Sequence, residues 1–440
     1  MKDFIDKKIL NIIKELKANG YQAYIVGGAV RDFLMGEHPK DWDIATSAMP
    51  DEVLNIFKDY KTNAVGKSFL VVLVDGIEVA TFRKDRYFGE SDKNCEIAPA
   101  TTIEEDLARR DFTINAMAYD PETGVIIDPF DGYADIMRKL VWFVGNADDR
   151  IWEDPNRIIR AFRFAAKIDG ELDYYSLRAI KRNLHLFDKI APERIRLEIL
   201  KAMKIKKASK FFKLLEEVSI LEKIFPSLHK CYKHPHGKYH VEDVFEHSML
   251  VGDNISTKYP LLKLAGYLHD CGKPDTYDEK SFHNHEDVGA GLASDELRKL
   301  RFSEDEIKYI AGLILLHMRF ARGTGPRGIR HLISDAKYFD LHYKDLLRIN
   351  IADRNGKKRE NVSVWEIMKR VKNFKYEAER KDAVHAYADL KLDGNNVMEV
   401  LNIPAGKKVG ELLKYLYDKV LDDPELNTKD NLTKLLKEKK

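Results

Sequence analysis

Two aspartates, Asp41 and Asp43, follow a glycine pair and an arginine in the stretch YIVGGAVRDFLMGEHPKDWDIATS, Tyr24 to Ser47. Carboxylates at i and i+2 of a strand share one face, where their charges repel unless a cation lies between them. Gly27 and Gly28 come directly after the apolar run Ala23 to Val26, which reads as a buried strand. Glycines let backbone N–H groups close on an anion, and a helix starting there, carrying Arg31, favours phosphate at its N-terminus. The combination points to a phosphate cradle feeding a divalent metal site, hence metal-assisted nucleotidyl or phosphoryl transfer. Glu78, on a neighbouring strand-like run, is a candidate third acid.

A second set of chemistry-bearing residues lies further along: His247, the adjacent pair His269-Asp270, His285, His317 and Asp353. Nine of the 14 histidines fall between His234 and His331. One histidine on an apolar helix is ordinarily a core residue, but ligand-competent groups spread over separate helical runs are not explained that way. Imidazole and carboxylate donors without thiolate suit Mn, Fe, Ni, Co or Mg better than a structural zinc.

The elements that position these residues follow from periodicity. Ile5, Ile9, Ile12, Ile13 and Leu16 have helical spacing that stops at Asn19-Gly20. A short helix is expected near Pro50 to Lys58. Strands are expected at Phe69 to Val74 and Ile77 to Phe82, joined by the hairpin signal Asp75-Gly76. The polar segment Arg83 to Thr102 reads as a mobile loop closing on a helix, EEDLARRDFTINAMAYD. Strands mixed with helices argue for an α/β-type head. From Asp148 the chain turns helical and basic, with 16 Lys/Arg against 6 Asp/Glu between Asn156 and Lys213. That one-sided excess suits an RNA backbone. Residues 230 to 355 are helical, 354–361 resemble a linker, and the last 80 or so are helical and lysine-rich with breaks at Gly394 and 403–406.

A chain of 440 residues exceeds one ordinary core, so two to four domains are expected. Hydrophobic residues at 44% and charged residues at 33% mark a globular, not a disordered, protein. The net charge of +2 leaves any polyanion contact to local clustering. Three distant cysteines, Cys95, Cys231 and Cys271, suggest a reducing compartment. No apolar run approaches the roughly 18 residues of a membrane span, and no secretory apolar segment opens the chain. The expectation is a cytoplasmic protein without membrane contact.

The ordered motifs carry a resemblance. GGAVRD…KDWDIATSA closely resembles the polymerase-beta-like nucleotidyltransferase superfamily, specifically the class II tRNA nucleotidyltransferases (CCA-adding enzymes) and the related bacterial poly(A) polymerases. RRDFT with INA (Arg109 to Ala116), DPFDG (Asp128 to Gly132), EDPNR (Glu153 to Arg157) and APERIR (Ala191 to Arg196) match further family motifs in order. The resemblance implies that Asp41 and Asp43 are catalytic and hold Mg²⁺, and that Gly27, Gly28, Arg31, Arg110, Asp111 and Asn115 bind the nucleotide. It implies that Asp154 and Arg157 read the base of CTP or ATP. Arg160 and Arg163, at helical i+3 spacing, would face phosphate. One departure stands in the segment Ser91 to Glu96, where Asn94 and Glu96 replace the arginine and proline of the family's D-x-R-x-P loop. Gly394, Pro404, Gly406 and Gly410 resemble the tRNA-anchoring tail.

The later set resembles the HD phosphohydrolase superfamily: His247, His269, Asp270 and Asp353 match H…HD…D, His285 and His317 match an additional pair, and Lys273 fits HDxGK. The fold implied is α+β: a mixed-sheet head at 1–147, an all-α neck at 148–228, an HD-type helical domain at 229–355 and a helical tail at 356–440. The function implied is addition of CCA to tRNA from CTP and ATP, with a possible phosphohydrolase centre holding Mn, Ni, Fe, Co or Mg. Poly(A) synthesis, A-only addition, and an HD phosphohydrolase with the head as nucleotide sensor stay open, as does a non-enzymatic RNA-binding module.

Overall fold

The computed structural model describes residues 5–64, 70–87, 95–236, 241–279, 281–320, 325–357, 364–380 and 387–439. The chain divides into two compact units, Met1–Leu214 and Leu215–Lys440. Among the described residues no helix is long and apolar enough to cross a membrane.

The first unit opens with helix α1 (Lys7–Ala18), which Asp6 caps and which buries Ile9, Ile12, Ile13 and Leu16, the stripe its periodicity predicts. It leads into β1 (Ala23–Val26), α2 (Gly28–Leu34), β2 (Asp43–Thr46) and α3 (Pro50–Ile56). Then come β3 (Thr62–Asn63), β4 (Val71–Val74) and β5 (Ile77–Thr81). After the β6/β7 ribbon described below, β8 (Ala118–Tyr119) and β9 (Ile126–Ile127) complete a mixed sheet in the order β3-β4-β5-β2-β1-β8-β9. Asp75 and Gly76, at φ +52° and +84°, make the tight β4–β5 turn that Asp-Gly favours. β2 and β5 run parallel, with Asp43 opposite Glu78 in register, so a single pairing brings two carboxylates to one face of the sheet. Behind it, Val26, Ala45, Phe82, Ile103, Leu107, Ala118 and Val144 share a buried cluster.

Three expectations need correction. β2 begins at Asp43, so Asp41 lies on the bend before the strand and not on it. The segment 83–102 is not a loop throughout. β6 (Arg83–Tyr87) and β7 (Cys95–Pro99) form a continuous antiparallel ladder, while Ser91 to Asn94 lie outside the described residues. Its polarity signalled exposure, whereas the ladder is made by backbone groups and braced by the Arg83–Asp85 ion pair at 3.1 Å. Finally, the helix expected over 104–120 is only α4 (Ile103–Ala108), followed by a 3₁₀ turn at Thr113–Asn115 and then β8. Phe112 takes an extended conformation and bridges to Phe143, which interrupts the helix where burial of an aromatic outweighs local propensity.

Downstream lie α5 (Gly132–Arg138), α6 (Ala147–Glu153), α7 (Arg157–Lys167), α8 (Tyr174–Arg182) and α9 (Pro192–Ala202). The helical run contains one short parallel ladder, Leu140–Val141 with Glu171–Leu172. α7 buries Ile158, Ile159, Ala161, Phe162 and Ala165, and α9 presents Ile195, Glu198, Ile199 and Ala202 on its buried stripe.

In the second unit every described element of eight or more residues is a helix. The five that matter for the histidine set are Val244–Asp253, Pro260–Leu268, His285–Lys299, Glu304–Leu316 and Tyr343–Asn355. Arg330 ties later helices together, donating to Leu421 O at 2.6 Å, Asp422 O at 2.7 Å and Glu377 Oε2 at 3.1 Å. The tail buries Leu392, Val397, Leu416, Val420, Leu432 and Leu436 in its own cluster.

Close packing at one glycine fixes the approach of His285. A Cβ on Gly272 would lie 2.2 Å from His285 O and 2.5 Å from Gly289 N. Gly272→Ala therefore forces backbone to move, and the expected loss is about 1–3 kcal/mol, seen as a lower midpoint in thermal or urea unfolding of the full chain.

Candidate active site and metal centre

In the first unit, Asp43 is partly buried and Asp41 exposed. Burial pushes Asp43 above the ordinary carboxylate range, the charges of Glu78 and Asp41 add to that, and Arg110 opposes it. Asp43 and Glu78 on the sheet and Asp41 on the bend before β2 thus act on one another electrostatically, a repulsion that a divalent cation relieves. Gly27 at φ +70° opens the turn, and a Cβ there would meet Arg110 Nη1 at 2.9 Å. Arg110 Nη2 donates to Asp106 Oδ2 at 3.0 Å, while its buried Nε makes no hydrogen bond among the described residues. Gly28 is the first residue of α2, whose first N–H groups have no partner within the helix and receive no side-chain cap from Gly27.

Five of the remaining candidates, Arg31, Asp111, Asn115, Arg160 and Arg163, fall into one chain of hydrogen bonds and ion pairs. Arg31, only 7% exposed, donates through Nε and Nη2 to Asp32 Oδ1 at 2.9 and 2.6 Å and through Nη1 to Asn115 Oδ1 at 2.5 Å. Asn115 Nδ2 donates to Asp111 Oδ1 at 3.0 Å, and Arg160 forks onto Asp111 Oδ2 at 2.9 and 2.5 Å. Glu198 accepts from Arg163 and lies 3.6 Å from Arg160. Phe164 sits among them, its ring centre 4.0 Å from the Arg163 guanidinium, 5.0 Å from that of Arg31 and 5.4 Å from that of Arg160. Burial alone would push Asp111 up, but Arg160 and the Asn115 hydrogen bond hold it down to about 2.

Asp154 and Arg157 are not bonded to each other through their side chains. Asp154 Oδ2 accepts from Arg194 Nη2 at 2.8 Å. Arg157 donates to Glu153 Oε2 at 2.5 Å, to Arg150 O at 2.8 Å and to Arg109 O at 3.4 Å. Each is held by a separate partner, so the two groups are set at the α6–α7 junction independently. The sequence reading missed Asp106, Glu198 and Phe164. Asp106 had a visible signal in its i+3 and i+4 spacing to Arg109 and Arg110, and Glu198 had one as an acid on an apolar stripe.

In the second unit the histidine set converges on Asp270. His269 Nε2 lies 3.2 Å and His247 Nε2 3.7 Å from Asp270 Oδ2. His285 Nε2 and His317 Nε2 lie 3.3 and 3.6 Å from Asp270 Oδ1. Asp353 Oδ1 pairs with His247 Nε2 at 3.0 Å. The rings are oriented by helix ends: the Nδ1–H groups of His269, His285 and His317 donate to the carbonyls three residues earlier, Gly266, Phe282 and Ile314, at 2.9, 2.8 and 2.6 Å. Each Nε2 then presents a lone pair. Those three nitrogens and Asp270 Oδ1 are buried without a hydrogen bond among the described residues. Backbone-anchored imidazoles with inward lone pairs around a carboxylate fit a metal ion. The neighbouring thiols do not join: burial pushes Cys231 and Cys271 well up, and Cys271 Sγ lies 3.5 Å from the Gly289 carbonyl. His236 belongs to the cluster as well, 3.4 Å from Asp270 Oδ2. The sequence reading left it out, its only signal being the histidine-rich run before the helix.

The Asp111 charge network sets an acid dependence. Its carboxyl falls from an unfolded value near 4 to about 2, so its contribution is complete above pH about 4 and is lost as pH drops through about 2. Asp111→Asn is expected to cost on the order of 2–3 kcal/mol at neutral pH, with the gap to wild type closing between pH about 4 and 2 in urea unfolding.

Models of known families match the chain in three consecutive pieces. These are a poly(A) polymerase head domain at residues 23–142, a probable RNA- and SrmB-binding site of polymerase A at 171–232, and an HD domain at 238–363. The chain is 34% identical over 269 residues to poly(A) polymerase I of Haemophilus influenzae, covering 58% of each protein. It is 44% identical over 201 residues to the CCA-adding enzyme of Geobacillus kaustophilus, covering 45% of this chain and 49% of that one. The chain spans about half the length of the curated relatives it matches. Its backbone superposes on the Bacillus stearothermophilus CCA-adding enzyme in complex with CTP at a TM-score of 0.73 and 27% identity, covering 98% and 96% of the two chains. A nucleotidyltransferase head of this kind implies a divalent metal. The mixed-sheet head, the ordered motifs and the HD cluster together place the chain in the class II CCA-adding enzyme and poly(A) polymerase family of nucleotidyltransferases that carry an HD domain.

Proposed function

We propose that the chain adds CCA to the 3′ end of tRNA from CTP and ATP, releasing pyrophosphate. The observation that carries this reading is the convergence, in one unit, of the Asp41/Asp43/Glu78 carboxylates with the arginine chain running from Arg31 to Arg163. Asp41 and Asp43 would hold Mg²⁺, which would supply neutralisation of the charge that develops during transfer. Gly27, Gly28 and the start of α2 approach the triphosphate through backbone donors, and Arg110 offers its unspent Nε–H to the same anion. Arg31 binds beside them, and Asn115 and Asp111 keep it and Arg160 from rotating away. Asp154 accepts from the exocyclic amine shared by cytosine and adenine, and Arg157 donates to ring nitrogen or carbonyl oxygen. Exposed Lys181, Lys189, Lys204, Lys206 and Lys207 grip the RNA backbone. The head at 1–147 transfers, the neck at 148–228 selects the base and holds RNA, and the tail at 356–440 anchors tRNA. Relatives support each ligand class: similar solved structures are CCA-adding enzymes described with CTP, with ATP, and with tRNA.

The identity to a poly(A) polymerase favours a second reading in which the same residues extend RNA with A alone. As an additional activity we propose that the HD cluster is a phosphohydrolase centre, in which His247, His269, Asp270, His285, His317 and Asp353 would hold Mn, Ni, Fe, Co or Mg.

Labelled CTP and ATP, singly and together, offered to tRNAs ending before CCA, at C and at CC, decide between the products. The expected result is two C residues and then one A, reduced at least 1,000-fold (roughly 4 kcal/mol of transition-state stabilisation) in Asp43→Ala. Long A tracts on unrelated RNA primers assign the chain to poly(A) synthesis, and normal A addition to CC ends without C addition assigns it to A-only addition.

A further inference from the structure

The HD cluster contains a cation of its own. Lys273 Nζ lies 2.6 Å from Asp270 Oδ2 and 2.5 Å from His236 Nε2. An ammonium only donates, so His236 Nε2 receives it with a lone pair, the form that also binds metal. His236, His247 and Asp270 offer ligand atoms that all lie within 4.8 Å of one another, as do His247, His269 and Asp353 and, separately, His269, Asp270 and His317. The ammonium therefore bonds to two of the three donors of the first triad and, through Asp270, to one donor of the third, while it bonds to none of the donors of the His247–His269–Asp353 triad among the described residues. Its Nζ lies over the Phe282 ring, 5.5 Å from the ring centre, and its side chain is 11% exposed. Both observations hold the charge in the cluster and away from bulk water.

We propose that Lys273 is a built-in substitute for a metal ion at the His236–His247–Asp270 triad, limiting how many divalent ions the HD centre holds. The inference rests on reading the cluster as a metal centre, and adds His236 to it as a ligand that Lys273 keeps occupied. A divalent ion and an ammonium compete for the same lone pair of His236 and the same oxygen of Asp270, so at equilibrium one excludes the other. Removing the ammonium frees both donors. Arginine at this position keeps a positive charge, whereas methionine keeps the length of the stem and removes it.

The test counts metal, not turnover. Full-length protein is stripped with chelator, equilibrated with Co²⁺, separated from free ion, and its bound cobalt measured, with His247→Ala defining the part that belongs to this centre. Lys273→Met is expected to gain about one His247-dependent equivalent over wild type, with stronger d–d absorption. His236→Ala combined with Lys273→Met is expected to lose that gain, and Lys273→Arg to show none. If Lys273→Met does not fold, Lys273→Gln carries the same expectation. Equal cobalt in wild type and the uncharged variants overturns the proposal, as does a gain that survives loss of His236. Absence of His247-dependent cobalt in all of these proteins overturns the metal-centre reading and this inference with it.

Discussion

Asp111 is a buried carboxylate in a region of the chain dominated by arginine, and that burial constrains everything around it. A lone anion in such a place costs several kcal/mol, so it has to be met from two sides, by Asn115 on one oxygen and by the fork of Arg160 on the other. Once those bonds are made, Asn115 has its carbonyl left to receive Arg31, and Arg160 has its remaining nitrogen near Glu198. The orientation of three cationic and amide groups, Asn115, Arg160 and Arg31, thereby follows from one acid. Arginines fixed in this way need little rearrangement when an anion arrives, which is the form of electrostatic catalysis that phosphoryl chemistry relies on most.

The second unit solves the same positioning problem with backbone instead of carboxylates. His269 and His317 each follow the last residue of a helix, and His285 is the first residue of one. In each case the ring leans on a carbonyl three residues earlier. Two of those carbonyls lie in the last turn of a helix, and the third, Phe282 O, also receives the backbone N–H of His285 at 3.4 Å. The interaction satisfies the backbone and chooses the tautomer together, leaving the other nitrogen turned to Asp270. Gly272 and Gly289 complete this arrangement because their backbones touch, which no side chain would allow.

Much of this was legible in the chain. Ala23 to Val26 gave its strand to the residue, the Asp-Gly pair gave its turn, and the carboxylates and histidines that converge were identified by type and spacing. What could not be read depended on contacts between distant segments. Phe112 interrupts a helix because Phe143 receives it, and nothing within EEDLARRDFTINAMAYD announces that partner. The ribbon at β6 and β7 was hidden because ladder bonds are made by backbone, and polar side chains report only that the surface is wet. His236 was hidden because its place beside Asp270 depends on the fold of the preceding turn, not on a repeat.

The charge excess of residues 156–213 shows how burial changes the meaning of composition. Counted along the sequence, 16 basic residues look like one track for RNA. In the fold they separate by chemistry. Arg157, Arg160 and Arg163 turn toward Glu153, Asp111 and Glu198, where a planar fork with fixed charge pairs bidentately or stacks on Phe164. Lys181, Lys204 and Lys207 stay at the surface as hydrated point charges on flexible stems. A polyanion whose recognition depends on helix shape needs the second kind, because contacts that slide along phosphates do not require fixed geometry. A nucleotide that must be held for in-line attack needs the first kind. Under the proposed activity a nearly neutral protein serves both ligands, because Glu153, Asp111 and Glu198, which offset part of its positive charge, also aim its arginines.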